Sequence, residues 1–155
     1  MEQIASDSRR AFFLRVLAPG EDLASPFDGE PYAALVWATT RRVPAAQKQR
    51  IATVLIASGC RYVVCGGVES ESWEEAADDA YLAQDLPEPV PDEQFVMTSS
   101  HRGEPEDEVA HFFVHATGMH SDFARSLVLL IGADDGVQAR LAAAVREEVE
   151  ASASG

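Results

Sequence analysis

Short apolar runs alternate along the chain with longer segments whose apolar residues recur at helical spacing. The apolar runs that read as strands lie at 32–40, 61–66, 94–99 and 126–132. A polar turn follows each of them, and helices are predicted to begin near Pro44, Ser72, Pro105 and Asp135. This alternation is typical of parallel sheets covered by helices. The sequence therefore predicts an α/β, Rossmann-like three-layer sandwich with a mostly parallel sheet of four strands.

A further strand is predicted at 11–17, before these four units. The loop after it, residues 18–31, contains three prolines and two glycines and shows no helical pattern. Because parallel neighbours normally need a helical crossover, we expect this strand to join the sheet antiparallel, as an N-terminal edge strand. We also predict a single α/β domain over residues 1–155, with 1–10 and 151–155 as flexible ends.

Charge is distributed unevenly along the chain, whose formal net charge is −14. Residues 69–108 hold 14 acidic side chains and one basic side chain, that of Arg102. Such a surface repels a phosphate backbone, so we expect no nucleic-acid partner. It predicts a solubilising face or, as the more specific alternative, a contact with a basic protein partner.

The apolar runs are too short for a membrane span, and residues 1–10 lack the apolar core of a signal peptide. We therefore expect a cytoplasmic protein with no membrane partner. Two cysteines, Cys60 and Cys65, fit that compartment. Their odd spacing along one predicted strand places the side chains on opposite faces, which excludes a disulfide between them. The pattern indicates no cofactor and no particular oligomeric state.

Polar turn residues follow the predicted strands, at the sheet edge where ligands of open α/β sheets bind. These turns combine cationic, hydroxyl and carboxylate groups, which suit a polar, partly anionic small molecule. The predicted ligand-binding residues are Thr40, Arg41, Arg42, Gly66, Gly67, Ser99, Ser100 and Asp134. Turns and helix caps require the same residue types, which is the competing interpretation. The sequence contains no P-loop and no G-x-G-x-x-G motif.

Candidate catalytic groups lie in the same turns, at His101, Cys65, Glu69 and Glu71. His101 would act as the acid–base, and one of the two glutamates would act as a base or hold hydroxyl groups. Cys65 ends a predicted buried strand and would need a nearby base, such as His101, to become a nucleophile. A small cysteine in a core strand more often serves packing alone.

All four histidines fall between positions 101 and 120. Glu108, His111 and His115 share one stripe of the predicted third helix, at spacings that allow two imidazoles and a carboxylate to bind one metal. The apolar residues of that helix define a different face. We therefore expect the stripe to be solvated and predict no metal, with these three residues as the alternative ligand set.

Four segments carry a resemblance to a known family: VWA at 36–38, GCRYVVCGGVESESWEEAAD at 59–78, VMTSSH at 96–101 and EVAHFFVH at 108–115. Together they resemble a family of small bacterial proteins classed as a domain of unknown function, over about residues 32–116. The most specific pieces are G-C-x-Y-V and VMT-x-x-H. The resemblance implies a compact α/β fold and a prokaryotic origin, and it carries no activity. Ser99 and Ser100 stand before His101 where the family pattern leads us to expect Thr and Trp, which weakens any inherited role for that turn.

Two functional hypotheses are compatible with these observations. The first is a small binding or regulatory module without catalysis of its own, favoured by the lack of a catalytic motif and by the acidic surface. The alternative is a small hydrolase or group transferase that acts on a nucleotide-like or sugar-containing metabolite at the carboxyl ends of the strands. In such an enzyme Arg41 and Arg42 would hold an anionic group. Candidate side chains that converge in one pocket would favour the enzyme.

Overall fold

One six-stranded sheet lies between two pairs of helices. The computed structural model describes residues 1–154, of which Ser154 contributes its backbone only. The strands are β1 (Glu2–Ser6), β2 (Ala11–Leu17), β3 (Tyr32–Ala38), β4 (Cys60–Gly67), β5 (Met97–Ser100) and β6 (Arg125–Ile131). The helices are α1 (Ala45–Ala57), α2 (Ser70–Leu82), α3 (Glu106–His120) and α4 (Asp135–Ser154), and a 3₁₀ turn covers Asp92–Gln94.

The strands lie in the order β1-β2-β6-β3-β4-β5. All neighbouring pairs run parallel except β1 and β2, which pair antiparallel. This arrangement confirms the prediction of an α/β, Rossmann-like sandwich with a mostly parallel sheet. The sheet contains one more strand than the sequence predicted.

The N-terminal part of the sheet differs from the prediction. Strand β2 is not an antiparallel edge strand, because it pairs parallel with β6 along its whole length. The antiparallel edge is β1, which forms from residues predicted to be a flexible end. Asp7 closes the turn between them, since its Oδ1 accepts hydrogen bonds from the backbone N–H groups of Arg9 (2.8 Å) and Arg10 (2.7 Å). Residues 18–31 carry the chain from β2 to β3 without a helix and bury Leu23 and Phe27 in the core.

Each face of the sheet supports one helix pair. On one face α1 and α2 pack on each other and cover a core that includes Ala34 and Val36 of β3. On the other face α3 and α4 pack together over Leu35 and Val128. The apolar run of β3 is buried on both faces, as expected for a central parallel strand.

A register irregularity in β4 changes where the two cysteines point. Tyr32 pairs with Cys60 and Ala33 pairs with Tyr62, so one residue of β4 is skipped in the ladder. Strict alternation is lost there, and Cys60 and Cys65 both lie in the core under α1 and α2. The expectation that they occupy opposite faces is therefore wrong, and both are free thiols.

Several element boundaries also differ from the sequence prediction. Helix α2 begins at Ser70, with Glu69 as its N-cap residue, instead of at a capping box on Ser72. Strand β5 begins three residues later than predicted because the 3₁₀ turn occupies its expected start. Helix α4 continues to Ser154, through most of the end predicted to be flexible, and Gly155 lies outside the described residues. Among the residues described, no helix combines the length and apolar character needed to cross a bilayer.

Candidate functional site

The point where the strand order reverses, between β3 and β6, is filled by the protein's own side chains. The Thr39 hydroxyl donates a hydrogen bond to the carbonyl of Ile131 (3.0 Å). A Cβ atom added to Gly132 would lie 2.4 Å from the Thr39 Oγ1, so this glycine permits the close approach. Two predicted ligand-binding residues in this region, Thr40 and Asp134, instead accept hydrogen bonds from backbone N–H groups. The Thr40 hydroxyl accepts the Arg42 N–H, and the Asp134 carboxylate accepts the Val137 N–H at the start of α4.

A polar crevice opens one strand further along, at the carboxyl ends of β4 and β5. Its volume is about 700 Å³. The floor is the end of β4, one wall is the N-terminus of α2, and the loops after β3 and β5 complete it. The lining residues are Arg41, Gly67, Val68, Glu69, Ser70, Glu71, Ser72, Glu75, Arg102 and Gly103. Four predicted site residues, Arg41, Gly67, Glu69 and Glu71, are thus brought together, whereas Arg42 is exposed and does not line the crevice.

Two arginines reach across the crevice from separate loops. The Arg41 guanidinium lies 3.9 Å from the Glu69 carboxylate, and the Arg102 guanidinium lies 3.9 Å from the Glu71 carboxylate. Both arginines are well exposed, at 71% and 84% of their side chains. Such long, exposed ion pairs are weak, so both guanidinium groups are free to turn toward a ligand.

A buried lysine lies beside the crevice. Only 9% of the Lys48 side chain is exposed. Lysine is rarely buried unless its charge is paired, and Lys48 has such partners. Its ammonium group is bonded to the Glu69 carboxylate and donates to the Ser72 hydroxyl (2.9 Å). It also lies 5.8 Å from the centre of the Trp73 ring, a cation–π distance. This Lys48 cluster, made of Lys48, Glu69 and Ser72, joins α1 to the first turn of α2.

The backbone of Glu69 is held in an unusual conformation. Its φ of +56° lies in the left-handed region, which costs a non-glycine residue about 1 kcal/mol or more. The ion pair with Lys48 holds the side chain from the other end. Strain of this kind persists where surrounding contacts fix the residue, and it is common at functional sites.

The predicted glycine pair has two different roles. Gly66 is buried, and a Cβ there would lie 2.6 Å from the Trp37 ring, so this glycine provides space for Trp37. Gly67 lines the crevice and has a φ of +77°. A Cβ on Gly67 would lie 2.2 Å from the Ala38 carbonyl oxygen. The turn therefore depends on close backbone contact between β3 and β4.

A hydrogen-bonded relay lies at the end of β5, beside the loop that carries Arg102 and Gly103. The Ser99 hydroxyl is hydrogen-bonded to His101 Nε2 (3.0 Å), and His101 Nδ1 is bonded to the Glu104 carboxylate (2.9 Å). The imidazole is mostly buried and packs on the Phe112 ring at 4.4 Å. Serine, histidine and carboxylate in this order form the connectivity of hydrolytic triads. Ser100, the other predicted serine, ends β5 beside it.

Cys65 does not face His101, although their strands are neighbours. The backbone N–H of His101 donates a hydrogen bond to the backbone carbonyl of Cys65. The Cys65 thiol nevertheless lies in the core under α1 and α2, whereas the His101 imidazole contacts α3 on the other face. Burial raises the pKa of the Cys65 thiol well above its ordinary value, and the Glu74 carboxylate adds to the rise. Burial likewise raises the pKa of Cys60 to about 12. Protonated thiols inside a core are poor nucleophiles, so the structure gives Cys65 a packing role.

The histidine stripe of α3 meets a carboxylate from another helix. His111 Nδ1 and His115 Nε2 lie 2.9 and 3.0 Å from the Glu148 carboxylate of α4. Glu108, the carboxylate predicted to join them, is exposed and lies outside this group. Burial alone would raise the pKa of Glu148, but hydrogen bonds from His111 and His115 outweigh it and hold that pKa below its ordinary value.

The sequence-based prediction missed six residues of these sites, namely Lys48, Ser72, Glu75, Arg102, Glu104 and Glu148. One signal for Lys48 was available, because residues 48, 51, 52 and 55 share the buried stripe of α1. Glu104 follows His101 by three residues, a spacing that allows a local contact. Glu148 gave no local signal, because its histidine partners lie on another helix.

The sequence model of a family described as "Domain of unknown function (DUF7684)" matches residues 12–148. This match agrees with the resemblance found in the motifs, which pointed to a domain of unknown function. No curated protein matches the chain. The description of the family names no ligand and no reaction.

Proposed function

This chain belongs to the DUF7684 family, whose description names no activity, and from that premise we propose that it is a small binding module for a polar, partly anionic metabolite. The ligand would lie in the crevice at the carboxyl ends of β4 and β5. One observation carries the proposal: cationic, carboxylate and hydroxyl side chains from three separate segments converge on a single crevice of about 700 Å³. That volume is typical of small-molecule sites.

The charges of the crevice indicate which ligand would fit. Arg41 and Arg102 supply planar guanidinium groups suited to a carboxylate or a phosphate. Glu71 and Glu75 supply carboxylates suited to hydroxyl or ammonium groups. A ligand that carries only negative charge would meet repulsion from these glutamates. We therefore expect sugar acids, amino acids and nucleosides or their monophosphates to bind better than polyphosphates.

The test is a binding screen by thermal shift and ligand-observed NMR with those compound classes. A variant that combines Arg41→Gln and Arg102→Gln should weaken any binding by about tenfold or more, because it removes two charge-assisted contacts. Arg140→Gln is the matched control, since Arg140 is also an exposed, ion-paired arginine, 3.2 Å from Glu106, on the opposite face. Binding that the double variant retains in full would contradict the proposal, as would a screen in which no compound binds.

The relay of Ser99, His101 and Glu104 supports hydrolysis as a second candidate function. In such a reaction His101 would accept the proton of the Ser99 hydroxyl, and Glu104 would orient the imidazole. A fluorophosphonate probe tests this directly, because it labels activated serines. We expect the probe to label the wild type and the Ser100→Ala variant but not the Ser99→Ala variant. Wild-type protein that stays unlabelled at Ser99 would count against the hydrolase.

The acidic surface supports a role for a basic protein partner. Strand β5 is an edge of the sheet, and the acidic segment around it exposes Leu82, Phe95 and Met97. An extended segment with lysines and apolar residues would complement this edge in both charge and hydrogen bonding. Met97→Lys should weaken capture of such a partner, whereas Met119→Lys, on α3, should leave it unchanged. Equal capture by both variants would contradict this partner site.

A further inference from the structure

A second cluster of chemistry-bearing side chains lies away from the crevice, on the face of the sheet covered by α3 and α4. Its ligand atoms, His111 Nδ1, His115 Nε2 and a Glu148 carboxylate oxygen, all lie within 4.8 Å of one another. We propose that His111, His115 and Glu148 form a divalent transition-metal site that joins α3 to α4, with Zn²⁺ as the best-fitting ion. This inference is independent of the function proposed for the crevice.

Helix geometry brings the two histidines together. Residues four apart lie on the same helix face, and the two rings here are 4.4 Å apart between centroids. One imidazole offers Nδ1 and the other Nε2, so both present a nitrogen to the same point in space. Glu148 reaches that point from α4. Two imidazoles and one carboxylate form a ligand set that zinc and other borderline divalent ions accept.

Two of the three distances between ligand atoms are already close to those around a bound ion, and the third, between the two histidine nitrogens, is within 4.8 Å. Zinc lies about 2.0–2.2 Å from its nitrogen and oxygen ligands, which places neighbouring ligand atoms roughly 3.0–3.5 Å apart. The Glu148 oxygen lies 2.9 Å from one nitrogen and 3.0 Å from the other. A metal ion therefore needs only small side-chain movements to enter. It would replace the hydrogen bonds that now hold the cluster together.

The surroundings of the cluster are open to solvent. The exposed fractions of the side chains are 65% for His111, 38% for His115 and 23% for Glu148. His115 also lines a groove of about 590 Å³ between the β1–β2 turn and the end of α3. Water or a small anionic ligand would complete the coordination, as in zinc sites that keep an open position. We expect an exchangeable ion, because all three ligand side chains are in contact with solvent.

Hard cations should not compete for this site. Mg²⁺ and Ca²⁺ prefer all-oxygen coordination, and only one of the three ligands here offers oxygen. The acidic residues of 69–108, including those in the first turn of α3, lie outside the group of three ligands and would bind such cations weakly and without saturation. Zinc binding that persists in excess Mg²⁺ therefore separates the proposed site from diffuse counterion binding.

The experiment uses the full chain, free of any histidine tag and stripped of metal by a chelator. Zn²⁺ is titrated in by calorimetry with excess Mg²⁺ present, and Co²⁺ is titrated separately while its visible absorption is recorded. We expect one ion per chain, an absorption spectrum typical of Co²⁺ bound to nitrogen and oxygen, and a higher melting temperature with zinc. Zinc that binds the folded chain and not the unfolded chain produces that rise in melting temperature.

Variants assign the ligands. His111→Gln, His115→Gln and Glu148→Gln should each weaken zinc binding by about tenfold or more, because each removes one of three ligands. His120→Gln is the control, since His120 lies on the same helix but outside the cluster. All four positions are at least partly exposed, and circular dichroism checks that the variants fold. Weak binding of several ions per chain, or equal affinity in all variants, would overturn the proposal.

Discussion

The two faces of the sheet each carry a helix pair tied by a polar cluster, and the two clusters differ in burial. Lys48, on the α1–α2 face, keeps 9% of its side chain exposed. His111, on the α3–α4 face, keeps 65% exposed. A buried charge loses its hydration and depends on its partners, whereas water can replace the partners of an exposed one. The α1–α2 cluster should therefore act as part of the fold, and the α3–α4 cluster should act mainly when a ligand binds.

Both clusters nevertheless perform the same mechanical task. Each joins two helices that are adjacent on one face and whose apolar sides are already buried against the sheet. Apolar packing is therefore common to both helix pairs, and the polar clusters act in addition to it. What the clusters add is specific chemistry at fixed positions, near the crevice on one face and beside a groove on the other.

Gly67 is where the largest effect is expected, since it carries the turn from β4 toward α2. Gly67→Ala should destabilise the protein by about 3 kcal/mol or more, because the new Cβ would lie 2.2 Å from the Ala38 carbonyl at a φ of +77°. Gly103→Ala is the matched control, with a φ of +75° and open space around it, and should cost only about 1 kcal/mol. Urea denaturation measures both. Similar losses at the two positions would show that the crevice floor is less tightly built than the structure indicates.

The next effect tests the difference in burial directly. Lys48→Met should lower the free energy of unfolding by about 2 kcal/mol, because it leaves the partly buried Glu69 carboxylate with only the long, exposed ion pair to Arg41. Glu148→Gln should change it by about 0.5 kcal/mol or less in metal-free protein, since its contacts are solvent-screened. Chemical denaturation in the presence of a chelator compares the two. A larger loss for Glu148→Gln would reverse the comparison.

A combined variant separates charge from packing in the Lys48 cluster. Lys48→Met together with Glu69→Gln should recover most of the stability that Lys48→Met loses, to within about 1 kcal/mol of the wild type, because no buried charge is left unpaired and Arg41 is solvated. The same denaturation experiment measures it. If the combined variant is instead less stable than Lys48→Met, the Glu69 carboxylate stabilises the fold through contacts other than Lys48, such as its ion pair with Arg41. Ligand binding in the crevice should be weaker in the combined variant than in the wild type even where stability recovers, because Glu69 lines the crevice.

Local patterns predicted much of the fold, and long-range pairing explains the rest. The apolar runs and helical spacings of the four strand–helix units were sufficient to predict an α/β sandwich. Strand β1 was missed because its residues are polar and its pairing depends on the Asp7 turn and on β2. The direction of β2 was wrong because the rule of helical crossovers does not apply to a loop that buries Leu23 and Phe27.

The candidate site was predictable where it depended on strand ends, and hidden where it depended on side-chain partners. Arg41, Gly67, Glu69 and Glu71 lie together because parallel strands end at one edge of the sheet. The place of the crevice was not predictable, because Thr39 fills the position where the strand order reverses. Glu148 could not be paired with the histidines without knowing that α4 packs on α3.

The smallest effect concerns the turn that attaches β1 to the α3–α4 side. Burial alone would raise the pKa of Asp7, but hydrogen bonds from the Arg9 and Arg10 N–H groups, and the charges of those arginines, outweigh it and lower that pKa. The pKa is lower in the folded than in the unfolded state. The carboxylate therefore stabilises the protein fully at pH values above the unfolded-state pKa, and this stabilisation is lost as the pH falls through the folded-state pKa. Asp7→Asn should therefore cost about 1 kcal/mol near neutral pH and progressively less below about pH 4.

Urea denaturation of both proteins between roughly pH 7 and pH 3 measures that difference. Asp22→Asn is the control, because Asp22 is an exposed residue paired with Arg50 at 3.4 Å, and it should cost less than about 0.5 kcal/mol near neutral pH. A loss in Asp7→Asn that stays constant with pH would mean that the turn depends on hydrogen-bond geometry and not on charge. In that case the largely buried Asp7 turn would depend on geometry, whereas the Lys48 cluster on the other face depends on charge.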